Sequence, residues 1–265
     1  MATRPPPSIA VAPLAEASLT AAQEALGQAF GADPLFTYLV PGAARRGRFL
    51  RWYAGAIVRL GRGAGAVEAA AVAPTPAAGV AVWLRPGWTT PPLRARLRAG
   101  LLLGLPLRLG PAGYVRFMRF ARAAEEHRRH AVGGPHWYLL LLGVAPAHQR
   151  LGLGSALVRV GLARAAAAGL PCYLETLNAA DLPFYQRLGF SVATTGAVSK
   201  GGPPLWGMIW TPRPPPAADR RPAQDRSGTD HGRPDHGAPA ESHHGRIPPA
   251  APTSPRASSA PHTPT

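Results

Sequence analysis

The residues of this chain best suited to chemistry are the loop VAPAHQRLGLGSAL, residues 144–157. It follows an apolar run and precedes an alanine-rich one, so it is predicted to join a buried strand to the start of a helix. The first N–H groups of a helix have no partners within it, and the helix dipole makes that end weakly positive. Gly152 and Gly154 leave these groups accessible, and Arg150 adds a positive charge. The pattern favours a pyrophosphate site, with a turn that serves only geometry as the alternative.

Two common nucleotide-binding motifs do not fit this loop. A P-loop ends in Gly-Lys-Ser/Thr, whereas the segment GLGSAL contains no lysine. A dinucleotide fingerprint needs a third glycine, but Leu157 stands at that position, and Asn178 replaces the acidic residue expected downstream. The phosphate is therefore predicted to belong to another kind of ligand.

The loop resembles the pyrophosphate signature of the GNAT family of N-acetyltransferases. That signature is Arg/Gln-x-x-Gly-x-Gly/Ala after Val-x-Pro, and it is matched by Val144, Pro146, Gln149, Gly152 and Gly154.

A second block of the same family is matched further along the chain. Asn178 is followed after seven residues by Tyr185, and Gly189 and Phe190 complete the family's Tyr-x-x-x-Gly-Phe. The resemblance covers residues 9–211 as a fold. The segment GVAVWLRPG and the helices after it look like those of a subgroup of bacterial members with enlarged substrate-side helices, to which no substrate is assigned here.

The resemblance implies acetyl-CoA as co-substrate and direct transfer of its acetyl group to the amine of a small molecule or peptide. The strand that ends at Val144 would diverge from the next one, and the main chains of Leu142 and Val144 would bind the pantetheine arm. No metal is implied. The residues expected to contact the cofactor are Leu142, Gly143, Val144, Gln149, Arg150, Leu151, Gly152, Leu153, Gly154, Ser155 and Asn178.

The resemblance also implies the proton donor. Tyr185 matches the family's general acid, which protonates the departing thiolate; alternatively it is a packing aromatic on a short helix. Asn178 would orient the cofactor or begin that helix, and an ordinary N-cap is its alternative.

A general base is needed because an amine with a pKa near 10.4 arrives protonated. Glu175 is the only carboxylate within a predicted core strand, where burial raises the pKa of a carboxyl group. Glu68 and His136 are alternatives, and a structural ion pair is the competing interpretation of any buried glutamate. Cys172 is interpreted as a core residue. Asp33 could hold a cationic amine or cap a turn.

Two other functions remain open. A catalytically silent module would bind acyl-CoA through the same loop without needing Tyr185 or a base. A nucleic-acid-binding protein would use the net charge of +16, but the arginines are spread over several helices and Lys200 is the only lysine. Nucleic acid is therefore an unlikely partner, whereas a homodimer is possible.

The predicted elements that position these residues form an α/β fold with a mixed sheet of six or seven strands and helices on both faces. Helices are expected over residues 18–30, 45–63, 154–169 and 179–189. Residues 91–130 are predicted to be helical in two pieces, with breaks near Pro106 and at 110–113. Strands are expected at residues 9–14, on both sides of Pro74, at 136–144, 171–177, 191–198 and 204–211.

Composition sets the domain boundary. Residues 212–265 contain Ile247 as their only large aliphatic residue and no Leu, Val, Phe, Tyr, Trp or Met. A disordered tail is predicted there, after an acetyltransferase domain at residues 1–211. A single cysteine and no signal-peptide or membrane-spanning pattern favour a cytoplasmic protein without membrane attachment.

Overall fold

The computed structural model describes residues 9–212. The strands are β1 (Ala10–Pro13), β2 (Gly65–Val72), β3 (Thr75–Leu84), β4 (Trp137–Val144), β5 (Cys172–Thr176), β6 (Ser191–Ala197) and β7 (Pro204–Trp210). The helices are α1 (Leu19–Ala29), α2 (Pro34–Leu39), α3 (Ala43–Ala64), α4 (Leu93–Arg98), α5 (Leu101–Ala131), α6 (Leu153–Ala167) and α7 (Leu182–Arg187). The tail predicted for residues 212–265 lies outside this range except for its first residue.

The seven strands form one sheet in the order β1-β2-β3-β4-β5-β7-β6. Neighbouring strands are antiparallel except β4 and β5, which run parallel on either side of α6 in the sequence. β7 lies between β5 and β6 and pairs antiparallel with both. The predicted mixed sheet, its β4-α6-β5 crossover and its antiparallel C-terminal pair are therefore confirmed.

Helices cover both faces of the sheet, as predicted. On one face α1 and α3 pack against β2 and β3 through residues such as Leu26, Ile57 and Val82. On the other face α6 and α7 pack through Leu157, Tyr185 and Leu174. Both faces of the sheet are thus packed against helices. A ligand can therefore reach the sheet at strand ends and at gaps between strands.

The gap that matters lies between β4 and β5. These strands pair only at their beginnings, Trp137 with Cys172 and Tyr138 with Tyr173. β4 also contains a bulge at Leu140, because Val82 of β3 pairs with Leu141 whereas Trp83 pairs with Leu139. Beyond Tyr138 the β5-facing edge of β4 is therefore open, as a diverging strand pair requires.

The helical region 91–130 differs in detail from the sequence prediction. The break falls at Ala99 and Gly100, between α4 and α5, and α5 continues through Pro106. The irregularity expected at 110–113 is present as a kink, because Gly110 has non-helical backbone angles of φ 68° and ψ 174°. An interior proline removes one helical hydrogen bond and crowds the preceding turn. The helix nevertheless continues through Pro106, and Leu105 and Leu109 on either side of it are buried in the same apolar cluster as α3.

A further difference concerns the first helices. The short helix α2 was not predicted; Asp33 caps it by accepting hydrogen bonds from the N–H groups of Leu35 (2.9 Å) and Phe36 (3.3 Å). Helix α3 begins at Ala43 and runs to Ala64, close to the predicted bounds of 45–63, so Gly61 and Gly63 lie within the helix. Gly61 is a close-packing position, since a Cβ there would lie 2.5 Å from Val82 Cγ1.

Candidate functional site

A cleft of about 510 Å³ lies between the end of β4, the first turn of α6 and helix α7. We call it the glycine-loop cleft. Of the residues predicted to contact a cofactor it is lined by Leu142, Val144, Gln149, Arg150, Gly152, Leu153, Gly154 and Ser155. Tyr185 lines it as well. Gly143, Leu151 and Asn178 do not belong to this lining. The structure thus brings most of the first sequence block and Tyr185 of the second together around one space.

The floor of this cleft is the first turn of α6. Gly152 is the N-cap residue and adopts φ +91°, a left-handed conformation that favours glycine. The N–H groups of Leu153, Gly154 and Ser155 belong to the first turn, where helical N–H groups have no partner within the helix. A Cβ at Gly154 would lie 3.3 Å from Phe184 Cζ and 3.7 Å from Val144 Cγ2. A larger side chain at this position would fill the space, so the glycine keeps the helix end open.

The open edge of β4 supplies a second set of main-chain groups. The N–H of Ala145 donates to the carbonyl of Ala78 at 2.8 Å, which makes these two a hydrogen-bonded pair with β3. Hydrogen-bonded and non-hydrogen-bonded pairs alternate along an antiparallel ladder, so Gly143 also bonds to β3. The main-chain groups of Leu142 and Val144 therefore point away from β3, toward the gap between β4 and β5.

Gly143 itself faces the opposite side of β4 from the cleft. A Cβ at this position would lie 2.7 Å from Leu26 Cδ2 and 3.0 Å from Phe30 Cε2. Leu26 lies on α1, and Phe30 is the residue directly after it. The small residue thus permits α1 to approach the strand, and its place in the structure is a packing position.

The charges around the glycine-loop cleft are mainly positive. Arg150 was expected from the sequence, and it adopts φ +64°, an unusual conformation for a residue with a side chain. Arg187 of α7 and the ring of His148 also line the cleft, opposite a single acidic residue, Asp181. Two guanidinium groups next to a helix N-terminus make this a favourable environment for a phosphate group.

Asp181 is held in the cleft by a local network that the sequence did not reveal. Its carboxylate accepts hydrogen bonds from Thr176 Oγ1 at 3.1 Å and from Asn178 Nδ2 at 3.2 Å. Asn178 also accepts a hydrogen bond from the N–H of Ala180 at 3.1 Å, so it caps the turn that leads into α7. The observed contacts of Asn178 are those of a helix-start residue that positions Asp181. Burial raises the pKa of Asp181, and the hydrogen bond from Thr176 opposes this shift.

Tyr185 lies on α7 with 9% of its surface exposed, packed edge-to-face against Phe184 and Phe190. Burial raises the pKa of its hydroxyl well above the ordinary value, and the nearby carboxylates of Asp181 and Asp33 add to the shift. The hydroxyl therefore remains protonated across the physiological range, which suits a group that donates a proton.

A second, largely apolar cleft of about 560 Å³ lies between α3, α5 and the sheet. Its aromatic lining consists of Tyr53, Tyr114, Phe117, Phe120 and Tyr138. We call it the apolar cleft. It is lined by residues of α3, of the helical region 91–130 and of the strands β3, β4 and β5.

Glu175 lines this apolar cleft and not the glycine-loop cleft. Burial raises the pKa of Glu175 to about 7, while the Tyr138 hydroxyl, the charge of Arg128 and the Tyr173 hydroxyl oppose the shift. A carboxyl group with this pKa is partly ionised near neutral pH and can accept a proton from a bound group. The predicted acid and base candidates thus line different clefts.

Arg128 supports the wall of the apolar cleft and is itself only 6% exposed. Its guanidinium donates to the carbonyl of Thr89 at 2.7 Å and to Thr90 Oγ1 at 3.0 Å, and it forms an ion pair with Glu125. It also lies over the ring of Tyr138, 5.5 Å from its centroid. These contacts fix a positive charge close to Glu175.

The alternative base candidates have other surroundings. Glu68 is 3% exposed and forms an ion pair with Arg164 of α6, as expected for a structural glutamate, and it lines neither cleft. His136 bonds to the carbonyl of Gly134 at 2.7 Å, and burial lowers its pKa. Cys172 is fully buried in the core, and burial raises its pKa to about 12.

Asp181, Phe184 and Arg187 are cleft residues that sequence reasoning missed. Asp181, Phe184 and Tyr185 follow the i, i+3, i+4 spacing of one helix face, so the position of Tyr185 contained a signal for the first two. Asp33, which caps α2, is also within electrostatic reach of Asp181 in the glycine-loop cleft. Burial raises the pKa of Asp33 to about 6, and the negative charge of Asp181 contributes to the shift.

Comparison with known proteins matches a region that contains the whole lining of the glycine-loop cleft and part of the lining of the apolar cleft. The model of the acetyltransferase (GNAT) family matches residues 82–190, from β3 to Phe190. Mycothiol acetyltransferase of Mycobacteroides abscessus is 48% identical over 60 residues, which are 22% of this chain and 20% of that protein. The match therefore spans about one fifth of the relative's length.

Solved structures extend the likeness to the whole described fold. A Corynebacterium glutamicum protein described as histone acetyltransferase HPA2 and related acetyltransferase is 25% identical, with a TM-score of 0.56 over 79% of this chain and 99% of that one. The polyamine N-acetyltransferase of Drosophila melanogaster is 15% identical, with a TM-score of 0.53 over 77% of this chain and all of the other, a likeness of fold alone.

Proposed function

Because residues 82–190 make the chain a member of the acetyltransferase (GNAT) family, we propose that it transfers an acetyl group from acetyl-CoA to an amine. The observation that carries the proposal is the open first turn of α6 beside the free edge of β4. Both features accept the groups of one extended cofactor: a diphosphate at one end and an amide-containing arm at the other. The full protein's acceptor and partners are part of the same proposal.

The glycine-loop cleft fits the diphosphate. The N–H groups of Leu153, Gly154 and Ser155 would bind its oxygens, and Arg150 and Arg187 would balance its charge. The test of fit is the space at Gly154, which a Cβ would begin to fill against Phe184.

The free edge of β4 fits the pantetheine arm. Leu142 and Val144 direct their main-chain groups into the gap between β4 and β5, where an added chain can bind as a further strand would. Gln149 Nε2 already donates to the carbonyl of Val144 at 3.1 Å. The main-chain groups of Leu142 and the N–H of Val144 are the ones we assign to the cofactor.

In this proposal two protons leave the amine nitrogen and one reaches the thiolate sulfur, and no metal or covalent enzyme intermediate takes part. Acetyl-CoA would supply a thioester, whose C–S bond breaks as the neutral amine forms the new C–N bond. Glu175 would accept the proton that the ammonium group must lose, directly or through water. Tyr185 would donate its proton to the departing thiolate and be reprotonated by the second proton, which the nitrogen releases as the amide forms. The pKa of a free thiol near 8.5 means that the donation needs only modest help.

Calorimetry combined with a thiol-release assay tests the proposal. Titration with CoA is expected to give saturable heat, and acetyl-CoA with a panel of amines is expected to release free thiol only when the acceptor is present. Absence of CoA binding would contradict the assignment of the cleft. CoA binding without acetyl transfer to any amine, peptide N-termini included, would favour the silent acyl-CoA-binding module.

A further inference from the structure

The apolar cleft and the glycine-loop cleft lie on opposite faces of the sheet, on either side of the gap between β4 and β5. Leu140 lines the former and packs with the α3 layer, whereas Leu142, two residues along the open edge of β4, lines the latter and packs with the α6 layer. On this geometry, and resting on the proposed function, we infer that the apolar cleft binds the acceptor as a monoamine. The inferred acceptor carries its amine on an apolar body and has no second cationic group.

The lining selects for an apolar body. Aromatic and aliphatic side chains of α3 and α5 surround the cleft, with Ile57, Leu105 and Phe117 among them. The apolar surface continues to the opening, where Leu102 is 38% exposed and Met118 is 48% exposed. Such side chains gain free energy when an apolar ligand displaces water from them, whereas a charged group would lose its hydration.

The carboxylates of the cleft provide for one cation. Glu125 and Glu175 are its acidic lining residues. Glu125 is already bound by Arg128 and lies 4.0 Å from Arg129 Nε. Glu175 lies on β5 beside Tyr138, next to the gap between β4 and β5. One carboxylate remains for the reacting ammonium group of the acceptor.

Positive charge at the other side opposes a second cation. Arg96 of α4 and Arg122 of α5 line the cleft and are exposed, and neither forms an ion pair with an acidic residue among residues 9–212. A polyamine or aminoglycoside in this cleft would place its distal ammonium groups near these guanidinium groups or in the apolar lining. Either placement weakens its binding relative to that of a monoamine.

A matched ligand pair tests this inference directly. Hexylamine and 1,6-diaminohexane have the same length and the same reacting amine and differ only in the terminal group. Calorimetry on the full chain saturated with CoA is expected to show at least tenfold tighter binding of hexylamine. Equal affinities, tighter binding of the diamine, or no binding of hexylamine would overturn the inference.

Two variants locate the selectivity. Arg96→Glu combined with Arg122→Glu is expected to reduce the ratio of the two affinities at least threefold. The two new carboxylates in the cleft lining would attract the second ammonium group of the diamine. Arg94→Glu combined with Arg98→Glu, on the same helix α4 but outside the cleft lining, is the matched control for charge and should leave the ratio unchanged. The same change of the affinity ratio in both double variants would overturn the assignment of the selectivity to Arg96 and Arg122.

The binding readout keeps the inference separate from the proposed function. Acetylation of the diamine in preference to hexylamine would contradict the monoamine inference but support acetyl transfer. Selective binding of hexylamine without any turnover would support the inferred pocket and contradict the proposed enzyme.

Discussion

Gln149 and Val144 are joined by a hydrogen bond of 3.1 Å from the carboxamide Nε2 to the main-chain carbonyl. The bond closes the loop between β4 and α6 onto the last residue of the strand. Because Val144 also faces the cleft, this contact ties the position of the glycine loop to the open edge of β4. The two proposed cofactor-binding surfaces are thus held in a fixed relation.

Removing this bond is expected to weaken cofactor binding. Gln149→Ala should raise the Kd for CoA about fivefold, because a typical hydrogen bond contributes about 1 kcal/mol to the arrangement that it stabilises. Titration calorimetry measures the change. Gln28→Ala, an exposed glutamine on α1, is the matched control and should bind CoA like the unmodified chain. An unchanged Kd in Gln149→Ala would show that the loop keeps its place without the bond.

Blocking the first turn of α6 is expected to abolish CoA binding. In Gly154→Leu the new side chain would occupy the space between Phe184 and Val144, where even a Cβ comes within 3.3 Å of the phenylalanine ring. Calorimetric heat from CoA should disappear while circular dichroism still reports a folded protein. Gly63→Leu provides the control, since this helical glycine of α3 has nothing within 4 Å of a Cβ. Retained CoA affinity in Gly154→Leu would place the diphosphate elsewhere.

Removing the Tyr185 hydroxyl is expected to slow turnover without affecting cofactor affinity. Tyr185→Phe should lower kcat by about 100-fold or less, at the low end of general acid catalysis, because a thiolate whose thiol has a pKa near 8.5 leaves with little help. Because the pKa of Tyr185 is raised well above its usual value, no loss of activity from its ionisation is expected on the alkaline side up to pH 10. Steady-state kinetics with acetyl-CoA and a fixed amine measure both effects. Tyr38→Phe, outside both clefts, should be neutral. Full activity in Tyr185→Phe would remove this residue from the chemistry.

The role of Glu175 predicts a characteristic pH dependence. A base acts in its ionised form, so kcat/KM should rise with pH through a midpoint near 7 and fall about tenfold per pH unit below it. Glu175→Gln should lower kcat/KM and remove this midpoint, leaving only the pH dependence of the amine's own ionisation. The profile of Glu24→Gln, an exposed glutamate on α1, should match that of the unmodified chain. Persistence of the midpoint in Glu175→Gln would assign it to another group.

The sequence determined the features that depend on neighbouring residues. Glycines at 152 and 154 after an apolar run encode an open helix start, because backbone freedom and helix ends are local properties. The apolar runs on either side of α6 encode the β4-α6-β5 unit in the same way. Helix α2 escaped prediction although its cap is local, since Asp33 was compatible with both a cap and a ligand-binding role. The continuation of α5 through Pro106 coincides with the burial of Leu105 and Leu109 against other elements, which no local pattern records.

Only the tertiary structure decided how these pieces form two clefts. The direction of the main-chain groups of Leu142 and Val144 depends on the register with β3 and on the end of β4–β5 pairing at Tyr138. The pKa of Glu175 depends on burial and on Tyr138 and Arg128, which come from other elements. Strand register, burial and electrostatic environment arise from contacts between residues far apart in the sequence. The sequence therefore identified the groups that could bind a ligand or transfer a proton. The packing of the sheet against α3, α5 and α7 determined which of these groups share a cleft.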